Sequence, residues 1–224
     1  MEDTTQSKNQ KYDEIANLIE GAKHIAIVPS KISGTDAFSA AVGMYYMLLD
    51  KDKHVSFIYP GKLPELFQDF KLLDPSQIKS DTSNRSLMVS IDYSETPAAS
   101  VRYSNDDNVL HLEISPIAKD FDLNRVKASV AGFDFDLAIT FGLQNLEDLG
   151  YIYKNLEKEF SAAKIINIDN TGMNSKFGRI NLIDPTKDNL SLLMFDLASG
   201  LGMTPDVRSA KALLIGMTYR EPAN

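Results

Sequence analysis

Short apolar runs alternate along the chain with longer segments of helical periodicity. The apolar runs predict buried strands, at 24–28, 54–59, 135–141, 163–168 and 180–183. Apolar residues at helical spacing predict helices, at 11–21, 36–49, 64–70, 124–131, 146–160, 190–201 and 205–217. Strands that alternate with helices across short connections form parallel sheets covered by helices. We therefore predict an α/β fold with a mostly parallel, Rossmann-like sheet and flanking helices.

The period of the pattern changes between residues 86 and 116. Leu110, Leu112 and Ile114 alternate with polar residues after an Asn- and Asp-rich turn at 105–108. Alternation on both sides of such a turn predicts an antiparallel hairpin. Because another strand is expected at 88–93, we interpret the segment as a β-meander inserted in the α/β sheet or added to its edge.

The simplest domain organisation is a single α/β domain over residues 11–220 that contains this insertion. The length of 224 residues fits one large domain or one domain with an insertion. Residues 1–10 are polar, which predicts a disordered tail rather than a signal peptide. No apolar run approaches the ~18 residues that a membrane span requires. We expect a cytoplasmic protein without membrane contact.

Composition and missing motifs exclude several classes of protein. The chain has no Cys, which excludes disulfide scaffolds, Cys-ligated zinc and cysteine nucleophiles. A formal net charge of −8 disfavours duplex nucleic acid as a partner, because such binding depends on Lys and Arg. The sequence also lacks the glycine-rich motifs of dinucleotide and nucleoside triphosphate sites and the nucleophile elbow of hydrolases.

The candidate site lies beyond the carboxyl ends of the parallel strands, where ligands bind in open sheets. The loop after the first strand contains Lys31, Ser33 and Thr35 and leads into a helix. Hydroxyls and backbone N–H groups at a helix N-terminus can bind a phosphate. These three residues, with Thr171 and Arg220, are therefore possible contacts for a phosphate or nucleotide, although the same pattern is also typical of simple helix capping.

Residues 167–185, with the sequence NIDNTGMNSKFGRINLIDP, resemble a stretch of the DHH phosphoesterases in which similar local patterns occur in the same order. Residues 210–217, with the sequence AKALLIGM, also resemble this family. This family includes oligoribonuclease-like enzymes and enzymes that degrade cyclic dinucleotides. The resemblance implies an α/β domain with a Mn²⁺-dependent two-metal centre. It also implies a second, smaller C-terminal domain, which we expect to be absent from this chain or cut off.

The first half of the resemblance departs from the family at its metal ligands. The family's first motif is His-x-x-x-Asp-x-Asp, and here only its last Asp is kept, as Asp36. Ser30 stands for the His and Gly34 for the first Asp. The aspartate that follows the middle strand falls on Gly142.

The second half departs in the same way. Asp169, Asn170 and Thr171 stand at the positions of the family's Asp-His-His motif, so neither imidazole is present. Arg220 stands at the position of the family's late aspartate. The segment 188–192 stands where the family has a Ser-Ser-x-x-Glu pattern. Two-metal phosphoester hydrolysis needs several converging carboxylates and imidazoles. We therefore expect no metal or other cofactor; Asp36 and Asp169 are the ligands if one binds, with Mn²⁺ as the ion.

Each remaining candidate also has a structural interpretation, which we prefer. Asp36 suits the first turn of a helix, where the dipole favours negative charge. Asp169 suits a cap of the turn that follows it. His24 and His54 begin strands and His111 lies on the polar hairpin face, so all three are expected to be structural or solvated.

Three functions are compatible with these observations. The preferred one is a catalytically degenerate DHH-like protein, a pseudoenzyme that binds a protein partner or a small phosphorylated ligand. The second is an active Mn²⁺-dependent phosphoesterase for short oligonucleotides or cyclic dinucleotides, with Asp92, Asp184 or Asp188 as substitute ligands. The third is a non-catalytic assembly module in which the β-meander forms a homo-oligomer.

Overall fold

A computed structural model describes residues 2–80, 86–94, 100–115, 120–131 and 133–219. The chain divides into two compact units, one formed by Met1–Ser83 with Phe133–Asn224 and the other by Asn84–Gly132. The insertion expected at 86–116 is thus part of a longer unit, which extends to residue 132.

Strands and helices alternate in the larger unit. In chain order the strands of the described residues are β1 His24–Pro29, β2 His54–Ile58, β3 Ile78–Lys79, β4 Ser86–Ile91, β5 Ser100–Asp106, β6 Val109–Ser115, β7 Val126–Ala131, β8 Leu137–Phe141, β9 Lys164–Asp169 and β10 Ile180–Ile183. The α-helices are α1 Glu2–Gly21, α2 Gly34–Leu49, α3 Glu65–Asp69, α4 Tyr151–Asn155, α5 Glu157–Ala162, α6 Leu190–Gly200 and α7 Val207–Thr218. Among the described residues, no helix has both the length and the apolar character to cross a bilayer.

Six strands form one parallel sheet in the order β10-β9-β8-β1-β2-β3. This confirms the predicted α/β class. The chain runs from β1 outward to β3 in one direction and from β8 outward to β10 in the other. The order therefore reverses between β1 and β8, and the crevice beyond their carboxyl ends is the expected ligand position of such a sheet.

The two faces of this sheet bury separate cores. On β1, Ile25 and Ile27 belong to a core with residues of α1, α2, α6 and α7, whereas Ala26 and Val28 belong to a core with residues of α4 and α5. Alternate residues of a strand point to opposite faces, so both faces of β1 are covered. This double burial explains why the strands are nearly continuous apolar runs in the sequence.

The smaller unit consists of two antiparallel pairs. Strands β5 and β6 form the predicted hairpin, and β4 pairs with β7 rather than with this hairpin. The helix predicted at 124–131 is wrong, because residues 126–131 are strand β7. Val126 and Ala128, two residues apart, lie opposite Ile91 and Val89 of β4. The side chains of this segment therefore follow the two-residue period of a strand.

Two helix predictions also need correction. Helix α1 begins at Glu2 rather than at residue 11, so residues 2–10 extend this helix where a disordered tail was expected. Neither Gly nor Pro occurs in this stretch to interrupt it. The helix predicted at 146–160 is instead a 3₁₀ turn followed by α4 and α5. Gly150 ends the 3₁₀ turn with a φ of 59°, a conformation that favours glycine.

A polar cluster lies near the amino ends of β1 and β2. The Nε2 atom of His24 is 2.8 Å from Ser56 Oγ, and Lys79 Nζ donates to the same Oγ at 2.9 Å. The rings of His24 and His54 are 5.0 Å apart. Because the ammonium donates to Ser56 Oγ, the hydroxyl proton is available to a neutral imidazole.

We predict that protonation of His24 destabilises the fold. Burial lowers the pKa of His24 from 6.5, helped by His54 and Lys79 and opposed by the carboxylates of Asp134 and Asp136. The folded protein therefore binds this proton more weakly than the unfolded chain, and stability falls as the pH drops below 6.5 toward the folded pKa. Urea unfolding at about pH 7.5 and about pH 5.5 should show a larger loss of stability in the native protein than in His24→Gln. An equal loss in both proteins would contradict the prediction.

Candidate functional site

The loops that follow β1 and β8 meet at the crevice. The backbone N–H of Ser30 donates to the carbonyl of Phe141 at 2.8 Å, and the hydroxyl of Ser33 donates to the carbonyl of Gly142 at 2.7 Å. Ser30 Oγ accepts from the N–H groups of Ile32 and Ser33, at 3.1 and 3.3 Å, and so shapes the first loop. Since the Ser33 hydroxyl donates its proton to a carbonyl, it can only accept from a further group.

Gly142 leaves no room for a side chain at the end of β8. Its φ is 68°, and a Cβ atom at this position would lie 2.7 Å from Ser33 Oγ and 2.9 Å from Leu190 Cδ1. Gly34 in the opposite loop also has a positive φ, of 62°. The position at which the family resemblance implies an aspartate is thus closed to any side chain unless Ser33 and Leu190 move.

The carboxylate of Asp36 caps the N-terminus of α6. It accepts from the backbone N–H groups of Leu190 and Ser191, at 2.6 and 2.9 Å, and from the Ser191 hydroxyl at 2.8 Å. The third N–H, of Leu192, donates to the Asn189 side chain at 2.7 Å. Helix N-termini leave such groups without partners inside the helix. Asp36 also lies in the first turn of α2, so two helix dipoles favour its negative charge.

The carboxylate of Asp169 is fully buried at the end of β9 and caps the turn that follows. Its Oδ1 accepts from the N–H of Asn170 at 2.8 Å, and its Oδ2 accepts from the Thr171 hydroxyl at 2.6 Å and from Asn174 Nδ2 at 2.8 Å. The side chain of Asn170 donates instead to the carbonyl of Lys187. Asp169, Asn170 and Thr171 therefore all bond to the chain itself.

A buried amide network extends from Asp169 into the sheet. Asn174 Oδ1 accepts from Asn167 Nδ2 at 2.9 Å, and Asn167 Oδ1 accepts from the Thr140 hydroxyl at 3.0 Å. Asn167 and Asn174 belong to the stretch that resembles the DHH phosphoesterases, but sequence reasoning gave neither of them a role. The polar Asn167 interrupts the apolar run of β9, and a polar residue in a buried strand must find partners. That interruption was the available signal.

The crevice contains a cavity of about 450 Å³. Ser33, Thr35 and Asp36 line one side of it, and Asp188 and Asn189 line the other. Within the described residues its lining has two carboxylates and no Lys or Arg, so an anion placed there meets negative charge. Of the other residues expected to contact phosphate, Lys31 is exposed and absent from this lining, and Arg220 lies outside the described residues.

The carboxylates present do not fit a two-metal centre. Across the parts of the chain that the structure describes, no group of three or more His, Asp or Glu side chains is placed to hold a metal ion. Of the substitute ligands, only Asp188 shares the cavity with Asp36. Asp184 accepts from the N–H and hydroxyl of Thr186, and Asp92, in the Asn84–Gly132 unit, accepts from the N–H of Ser94.

Each of the three histidines has its own surroundings. His24 bonds to Ser56, His54 is exposed at the start of β2, and His111 is exposed on β6 opposite Ser104. None of them lines the cavity.

The comparisons with known proteins concern the fold. No protein-family model and no curated protein matches this chain. Among solved structures, it is similar to the crystal structure of an exopolyphosphatase-related protein from Bacteroides fragilis, with a TM-score of 0.62 and 18% sequence identity. The match covers 93% of this chain and 49% of that protein, so the chain spans about half of the neighbour's length. The chain therefore shares the fold of the matched part of that protein.

We predict that Asp36→Asn destabilises the protein because an amide has one fewer acceptor oxygen and turns N–H groups toward the donors of α6. The loss should be about 1–3 kcal/mol in urea unfolding. Asp188→Asn is the matched control, since Asp188 is exposed in the same cavity, and it should change stability by less than about 0.5 kcal/mol. Equal stability of both variants would contradict the capping role of Asp36.

Proposed function

We propose that this chain is a catalytically degenerate phosphoesterase-like protein that binds a phosphorylated ligand or a protein partner and does not hydrolyse phosphodiesters. The observation that carries the proposal is the engagement of both family-position carboxylates, Asp36 and Asp169, by hydrogen-bond donors of the chain itself. Two-metal hydrolysis instead requires such carboxylates to bind cations held ~4 Å apart.

The bonding of Asp36 supports the proposal energetically. A metal ion that bound the Asp36 carboxylate in place of these donors would leave the N–H groups of Leu190 and Ser191 without their acceptor. An unsatisfied buried donor costs about 1–3 kcal/mol. The Asp36 carboxylate therefore already stabilises the fold through these hydrogen bonds.

The environment of Gly142 supports the proposal sterically. Restoring the aspartate that the family resemblance implies would force a Cβ atom to within 2.8 Å of Ser33 Cβ. The left-handed φ of 68° opposes the same substitution. The loss of a ligand here is thus linked to the packing of two neighbouring residues, so one substitution does not reverse it.

The alternative remains an active Mn²⁺-dependent phosphoesterase with rearranged ligands, for which Asp188 is the candidate that shares the cavity with Asp36. Its substrates would be short oligonucleotides or cyclic dinucleotides. The description of the structural neighbour as exopolyphosphatase-related adds inorganic polyphosphate to the substrates to be tested.

We predict no turnover of short oligoribonucleotides, cyclic dinucleotides or polyphosphate with Mn²⁺ in excess, because the carboxylates needed for two ions are engaged elsewhere. The amount of product formed, measured by chromatography, should be the same for the native protein and for Asp188→Asn, a variant expected to fold normally. Turnover by the native protein that is lost in Asp188→Asn would establish the alternative and overturn the proposal.

A second candidate function, self-assembly, is favoured by the hairpin of β5 and β6. Tyr103 pairs with Leu112 on one face, and their exposed fractions are 77% and 49%. On the opposite face Arg102 pairs with Glu113. An isolated two-stranded hairpin is marginally stable, and an exposed apolar face marks an interaction surface. We propose a second copy of the chain as its occupant.

If the hairpin assembles the protein, the native chain should sediment above its monomer mass of 24.9 kDa. The double variant Tyr103→Ser with Leu112→Ser should sediment as a monomer, because it removes the apolar contact. Arg102→Ser with Glu113→Ser, on the polar face, is the control and should keep the native mass. A monomeric native protein, or the same mass in all three proteins, would count against assembly through this face.

A further inference from the structure

A second concave site lies at the β10 edge of the sheet. It is a cavity of about 510 Å³ between α1 and the loop that joins β9 to β10. Lys11 and Glu14 line it from α1, and Lys176 and Arg179 line it from the loop. It shares no lining residue with the crevice at β1 and β8. Its volume is typical of sites for small ligands.

The charge of this cavity is opposite to that of the chain. Its lining has three cations and one carboxylate, although the formal net charge of the protein is −8. Lys187, by comparison, forms an ion pair with Asp196 at 2.5 Å. Within the described residues, Lys176 and Arg179 have no carboxylate at ion-pair distance. Three neighbouring cations repel one another, and a bound anion would relieve that repulsion.

Hydrogen bonds hold the backbone of the loop that carries two of these cations. Asn174 Oδ1 accepts from the N–H of Lys176 at 2.8 Å, and the N–H of Gly178 donates to Asn181 Oδ1 at 3.0 Å. The N–H of Ser175 donates to the carbonyl of Gln144 at 2.9 Å. Lys176 adopts a φ of 58°, which non-glycine residues rarely do unless the surroundings impose it.

This loop is anchored on the carboxylate of Asp169. Asn174 holds Lys176 through its oxygen and donates through its nitrogen to Asp169 Oδ2 at 2.8 Å. Asp169, which the family resemblance assigns to a metal, therefore positions a basic loop in this chain. Because the backbone of this loop is already ordered, binding an anion does not require the cost of ordering the loop first.

We propose that the cavity of Lys11, Lys176 and Arg179 binds the phosphates of a small ligand that carries two or more linked phosphate groups. The Arg179 guanidinium suits bidentate contact with one phosphate, and the two ammonium groups add point charges for another. The inference rests on the proposed binding function and names its site and ligand class. It places the anion here rather than in the crevice, where Asp36 already occupies the helix N-termini.

The test uses inorganic tripolyphosphate and ADP as probes, titrated calorimetrically into the whole chain without divalent cations. Lys176→Gln with Arg179→Gln should weaken binding by at least about tenfold, because two charge-assisted contacts are removed. Lys31→Gln with Lys62→Gln removes the same charge from exposed positions elsewhere, one of them in the loop at the crevice, and should leave the affinity unchanged. All four substituted side chains are exposed, and a thermal unfolding scan checks that the variants fold.

Three results would overturn the inference: no binding by the native protein, equal loss in both double variants, or loss only in the Lys31 and Lys62 variant. Tighter binding of a polyglutamate peptide than of tripolyphosphate would overturn the ligand class and indicate an acidic protein partner. These outcomes are separate from the turnover assay. Hydrolysis dependent on Asp188 would overturn the non-hydrolytic proposal and leave the binding result intact.

Discussion

The carboxylate of Asp36 is the interaction on which the rest of this crevice depends. It joins the first turn of α2 to the first turn of α6 through three hydrogen bonds of 2.6 to 2.9 Å. This one carboxylate accepts from donors that would otherwise lack a partner at a helix end, and it places a negative charge at the positive ends of two helices. The contact also fixes Leu190 beside Gly142, whose missing Cβ makes room for it. The cap of α6 and the close packing at Gly142 are therefore one structural arrangement.

The distribution of charge follows from this arrangement. A carboxylate of the chain fills the place at which a helix N-terminus would otherwise attract an anion, and Asp188 adds a second negative charge to the same cavity. At the β10 edge, by contrast, Lys11 of α1 lies beside a loop that carries Lys176 and Arg179. Hydrogen bonds from Asn174 to Asp169 and from Gly178 to Asn181 hold this loop. In this chain the carboxylates of Asp36 and Asp169 thus serve helix capping and loop geometry.

Among the elements that sequence reasoning predicted correctly are the strands of the larger sheet, whose pattern reflects burial on both faces. The runs that became β1, β8 and β9 are apolar because helices cover them on each side, and their short length favours strands over helices. The segment 124–131 was misassigned because Ala, Lys and Arg favour a helix locally, whereas pairing with β4 selects a strand. Such pairing depends on a partner more than thirty residues away.

For the site, the sequence by itself determined which residue types follow the strands, with Asp36 and Asp169 among them and no His in the same loops. It also indicated the turn cap of Asp169, because that contact is local. Only the tertiary structure decided that Asp36 caps a helix 154 positions away and that Ser33 bonds to Gly142 across 109 positions. The physical reason is that periodicity records whether a side chain is buried, whereas the partner of a polar group is set by how the chain brings distant loops together.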